Sequence, residues 1–185
     1  MRLTARLVML ALVAVSAAGC SSGGSSAGAG SACEQGSWVS TSMLAPAQAG
    51  VGTVTPTGGG GGIVFTFAAG GRFQVDFGPM KPATGTFDSG GQTATQQTSM
   101  SGVGSGTWKA GSATIDDLAT VRATATLTLG ETVPPVFDDT WKDLNTTMML
   151  GQLMGTLTVT SCNGGAMTLT SPFPAGPITI QAKRK

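Results

Sequence analysis

Ile63-Val64-Phe65-Thr66-Phe67, then Ala68-Ala69-Gly70-Gly71, then Arg72-Phe73-Gln74-Val75-Asp76-Phe77 is the stretch whose reading decides the fold. In its second arm Phe73, Val75 and Phe77 take one face and Arg72, Gln74 and Asp76 the other, the period of a half-buried strand. Two such runs around a Gly-Gly turn predict a β-hairpin. The same habit recurs outward in both directions. Gly36 to Ser42 alternates around Trp38, and Gly106-Thr107-Trp108-Lys109-Ala110 and Ala113-Thr114-Ile115 pair around Gly111-Ser112. Ala119 to Leu129 sets Val121, Ala123, Ala125, Leu127 and Leu129 against Arg122, Thr124, Thr126 and Thr128. Gly155 to Cys162, an Asn163-Gly164-Gly165 turn, Met167 to Thr170 and Pro177 to Lys183 finish the series.

About eight short strands joined by turns predict an all-β domain: an antiparallel up-and-down β-barrel, with a two-sheet β-sandwich as the alternative. One segment departs from the strand habit. Asp138 to Leu150 follows Pro134-Pro135, opens with acids and spaces Trp141, Leu144 and Met148 helically, which predicts one short helix. Gly58 to Gly62 and Ser89 to Ser105, rich in Gly, Ser, Thr and Gln, are expected to be mobile loops.

The N-terminus addresses location. Arg2 and Arg6 precede an apolar run, Leu7 to Val15, that is too short to span a bilayer, and Ser16-Ala17-Ala18-Gly19-Cys20 follows. This resembles the lipobox of bacterial lipoproteins, with Ala17 where that family more often has Leu or Val. The resemblance implies a signal peptide over 1–19, cleavage before Cys20, and a diacylglycerol on its thiol. The competing reading is an ordinary secretory signal with Cys20 incidental. Residues 20–32, Gly-, Ser- and Ala-rich, read as a flexible tether reaching on the order of 20 Å, and 33–185 as a single β domain. The expected address is the cell envelope, lipid-anchored to the membrane on the extracytoplasmic side.

Composition narrows the function. Charged residues are 10% of the chain, and once Arg2 and Arg6 leave with the leader the ten basic residues become eight against nine acidic ones. That balance does not attract nucleic acid. The chain contains no His and no Tyr, and its G-x-S-x-G match, Gly24 to Gly28, lies in the tether with no strand before it. An enzyme is not expected. Asp116-Asp117, and Asp138-Asp139 with Asp143, fit solvated turns and a helix start better than calcium or acid–base work. Met148, Met149 and Met154 fit core packing better than copper, and Gly102 to Gly106 leads into a strand, so it cradles no phosphate. No metal and no cofactor is expected.

Cys33 and Cys162 are the thiols left after lipidation, in a compartment that permits disulfides, and a bridge is the natural reading. A redox pair or a metal site lacks both a C-x-x-C spacing and a histidine.

Gly36-Ser37-Trp38 after Cys33 resembles the G-x-W opening of lipocalin-like (calycin) barrels, and Thr160 to Thr170 resembles the Gly-turned late hairpin of small bacterial members. The family's tyrosine motif has no counterpart here, and its late arginine has a candidate in Arg184. The resemblance implies that Trp38 closes the barrel floor. It also implies a small apolar ligand held inside, with Trp38, Phe65, Phe67, Phe73, Phe77, Ala123, Ala125 and Leu127 as pocket candidates. The expectation is thus an envelope lipoprotein whose barrel binds such a ligand. The alternative is a structural or interaction lipoprotein with a filled core that contacts an envelope protein or the wall.

Overall fold

The computed structural model describes residues 33–46, 48–49, 53–89, 91–129, 131–132, 137–140, 155–172 and 176–185. In chain order the strands begin β1 (Gly36–Leu44), β2 (Gln48–Ala49), β3 (Thr53–Gly58), β4 (Val64–Ala68) and β5 (Arg72–Asp76). They continue as β6 (Ala83–Ser89), β7 (Gln92–Ser101), β8 (Val103–Lys109), β9 (Ser112–Asp117) and β10 (Arg122–Leu129). The last are β11 (Glu131–Thr132), β12 (Phe137–Thr140), β13 (Thr156–Asn163), β14 (Ala166–Ser171) and β15 (Ile178–Arg184).

Eight of them close a barrel in the order β1-β15-β14-β13-β9-β8-β5-β4. Every neighbouring pair is antiparallel, and barrel neighbours follow one another along the chain, so this is the expected up-and-down barrel. Three of its connections are long, and all three leave from the same end: β1 to β4, β5 to β8, and β9 to β13. The strands they carry, β2 and β3, β6 and β7, and β10 to β12, assemble into a second, seven-stranded sheet. The opposite end is closed by tight turns. One is the 3₁₀ turn Ala69–Gly71, and the others fall between β8 and β9 and between β13 and β14.

Polarity explains which side faces in. Along β5, Phe73 and Val75 are buried while Arg72 and Gln74 are exposed, and β9, β14 and β15 alternate likewise. Outward positions such as Ser37, Thr66, Thr107, Thr168 and Gln181 are uncharged and hydrophilic, the reverse of a barrel that crosses a bilayer. The core spans the barrel and its junction with the second sheet, since Met100, Val121 and Ala123 join the cluster formed by the barrel side chains.

Three expectations are corrected. Within the expected loop 89–105, Gln92–Ser101 is a hairpin arm, β7, and Val103 onward opens a barrel strand, β8, because alternating Thr and Ser satisfy β propensity without large apolar partners. Asp138, Asp139 and Thr140 pair with Thr124, Ala123 and Arg122 as β12, so a helix does not start there; the rest of the expected helix, through Leu150, lies outside the described residues. The one described helical piece is the 3₁₀ turn.

The glycine run is the third. Gly60 and Gly61 are buried between β1 and the 79–82 segment. The Gly62 amide donates to Ser40 O, the Lys81 amide to Gly61 O, and the Met43 amide to Gly59 O, at 2.7–2.9 Å. The Ser40 hydroxyl donates to Gly60 O and accepts from the Ile63 amide, both at 2.8 Å. This ribbon is held on both sides. A β-carbon on Gly60 would lie 2.4 Å from Met43 Cβ, so the absence of a side chain is what admits the ribbon.

Candidate functional site

The turn end of the barrel is organised around Trp38. Its indole Nε1–H donates to Glu34 O at 2.8 Å, and the Arg184 guanidinium sits 4.7 Å above the ring. Arg184 also donates to the carbonyls of Gln35 and Cys33, at 3.2 and 2.8 Å. These bonds fasten the lead-in segment beneath the barrel, and the guanidinium adds a cation–π contact to the burial of the indole. The buried Glu34 carboxylate accepts the Gly111 amide with both oxygens, at 3.1 and 3.3 Å, which ties the lead-in to the β8–β9 turn.

The expected disulfide is present between Cys33 and Cys162, residues 129 positions apart with Cα atoms 6.0 Å from each other. It joins the lead-in to β13 at the same end. On the chain-entropy account, closing a loop of that length contributes about 4–5 kcal/mol.

Above this floor the interior is aromatic. Phe67 lies 5.0 Å from Phe73 and edge-on to Trp108 at 5.4 Å, and Phe65 stacks at 6.5 Å from Phe73. Trp108 Nε1–H donates to Ala68 O at 2.8 Å, which satisfies its polar handle inside the wall. Trp38, Phe65, Val75, Leu157, Leu169 and Ile180 each retain 0% exposure. A void large enough for water would leave accessible surface on its lining, so no water-sized space adjoins these side chains. An eight-stranded barrel is wide enough either to be filled by side chains or to hold one small ligand, so the burial of these residues, not the strand number, describes the interior.

The pocket candidates therefore separate. Trp38, Phe65, Phe67 and Phe73 share the barrel interior, and Phe77 lies just beyond β5, its amide donating to Gly102 O at 2.9 Å where the chain passes from barrel to second sheet. Ala123, Ala125 and Leu127 do not line the barrel: β10 belongs to the second sheet, where these residues stand opposite Met100, Thr98 and Gln96 of β7. Alternation assigns them a buried face, and Ala123 and Ala125 are buried. It could not say against which layer. Trp108 is the interior aromatic not among the pocket candidates, although its alternation with the exposed Thr107 and Lys109 was visible in the sequence.

Among the described residues no three metal-ligating side chains gather. Asp76 and Asp117 instead accept the amides of Gly78 and Ala119 two residues on, at 2.8 and 2.9 Å, which is turn chemistry. Cys20, Asp143 and Met148, Met149 and Met154 lie outside the described residues. Comparison with protein families, curated proteins and solved structures finds no match to this chain.

Proposed function

We propose that the protein is a non-enzymatic lipoprotein of the cell envelope, anchored through Cys20, in which a solid barrel carries a second sheet toward a protein or wall partner. The packed interior carries this reading: a carrier needs space beside its inward side chains, and here the inward aromatic and aliphatic residues occupy one another's van der Waals surface. The Trp38–Arg184 floor fits the lipocalin-like resemblance, and the closed barrel, with Trp38, Phe65, Leu157 and Ile180 fully buried, supplies a rigid base. A sequence without histidine and a signal that resembles a lipobox support the non-enzymatic, anchored parts of the reading.

The test uses the buried interior alanines of the barrel, Ala113 and Ala182. In a filled barrel, Ala113→Phe and Ala182→Phe each cost about 1–3 kcal/mol or more, and a fluorescent fatty acid or envelope lipid extract leaves the melting temperature of the unsubstituted protein unchanged. A ligand-induced rise in melting temperature that either phenylalanine abolishes, with the variant as stable as the parent, would instead establish a carrier.

A further inference from the structure

The two ends of the molecule carry opposite charge. At the turn end stand Arg72 at the start of β5, Lys109 at the end of β8, and Lys183, Arg184 and Lys185 at the end of the chain, all exposed. The acid at this end, Glu34, is buried and turned onto the Gly111 amide. At the other end, among the described residues, Asp76 and Asp117 close β5 and β9 beside Asp116, and Asp88, Glu131, Asp138 and Asp139 belong to the second sheet. Two described basic residues, Lys81 and Arg122, stand among them. Exposed basic side chains thus gather at the turn end of the barrel, and Asp76, Asp116 and Asp117 at its other end.

The segment that leads from Cys20 joins the barrel at the basic end. Cys33 is fixed to the barrel by its disulfide and by Arg184, and twelve residues separate it from Cys20, a reach of at most about 45 Å even when fully extended. We infer that the turn end is a docking surface for anionic phospholipid headgroups, which seats the barrel upright and turns the acidic second sheet away from the bilayer. The inference rests on the lipoprotein reading for its biological setting, but the surface itself is a property of the folded domain. Arg72, Lys109 and Lys183 lie on the outer wall, next to the inward-facing Phe73, Trp108 and Ala182, so their side chains are free to meet headgroups without disturbing the core. Attraction and repulsion act in the same sense: an anionic surface draws the basic end and repels the acidic one, within a Debye length of about 8 Å at physiological salt.

Each basic residue near an anionic surface strengthens binding about fivefold. The chain from residue 20 onward, carrying Cys20→Ser so that no lipid contributes, should cosediment at low ionic strength with phosphatidylglycerol-containing vesicles. It should not cosediment with pure phosphatidylcholine vesicles, and physiological salt should weaken its binding. Combining Arg72→Gln, Lys109→Gln and Lys183→Gln should lower the binding about a hundredfold with an unchanged melting temperature, while Lys81→Gln, at the other end, should leave it unaltered. The inference is overturned if phosphatidylglycerol vesicles are not bound, if both kinds of vesicle are bound equally, or if the triple variant binds like the parent. Incorporation of labelled fatty acid at Cys20 in the full chain reads the lipoprotein premise separately, so failure of the anchor and failure of the surface give different results.

Discussion

Replacing Gly60 by alanine and, separately, Gly70 by alanine distinguishes a packed ribbon from a loop. The two glycines have nearly the same backbone, φ +70° and φ +76°, so a left-handed alanine costs each about 1–2 kcal/mol. Their surroundings differ. Around Gly70, at the tip of the β4–β5 hairpin, a new Cβ meets nothing within 4 Å. On Gly60 it falls 2.4 Å from Met43 Cβ, well inside the usual carbon–carbon separation of about 3.5–4 Å. Relief requires movement of about 1 Å in β1 or in the ribbon, and both are pinned: Gly60 O accepts the Ser40 hydroxyl at 2.8 Å, while the Gly60 amide donates toward Lys81 O at 3.2 Å. Overpacking of that kind adds about 1–3 kcal/mol. Gly60→Ala should therefore exceed Gly70→Ala by that margin in urea unfolding at equal m, or by about 3–9 °C in melting temperature for a domain of this size. Equal costs at the two positions, or a smaller cost at Gly60, would refute the ribbon and restore a mobile loop.

Two further perturbations address the turn end. Cys162→Ser should lower stability by about 2–5 kcal/mol, and the oxidised parent should show no alkylatable thiol at Cys33 or Cys162 until reduced; a reactive thiol in the folded, oxidised protein contradicts the bridge. Glu34→Ala strands the Gly111 amide at the β8–β9 turn and should cost about 1–3 kcal/mol in denaturant unfolding, with faster hydrogen exchange at Gly111; unaltered exchange there would show that the carboxylate does not hold the turn.

What the sequence disclosed depended on side-chain size. The barrel was legible where large apolar residues alternate with polar ones, as in Phe73-Gln74-Val75, because burying one face of a strand leaves a period of two. Of the second sheet, β10 was legible in the alternation from Val121 to Leu129, but β6 and β7 were not, because buried positions such as Gly85 and Ala94 carry little hydrophobic contrast against Thr and Gln. Asp138 and Asp139 after a proline pair resemble a helix start, and cross-strand pairing with β10 overrode that local preference. Five glycines carry no pattern at all; the ribbon exists because Ser40, Met43 and Lys81 bind its backbone, which no local rule reveals. At the floor, Trp38, Cys33 and Cys162 were readable from motif and compartment, whereas the place of Glu34 depends on a turn 77 residues away.

Native mass spectrometry of the protein extracted from its own membrane decides whether the barrel is a solid mount. A solid mount gives the mass of the chain from Cys20 onward plus the acyl groups on that cysteine, and nothing else retained at gentle activation. A further small apolar molecule bound at one equivalent, lost on activation and absent after interior substitution at Ala182, would contradict it.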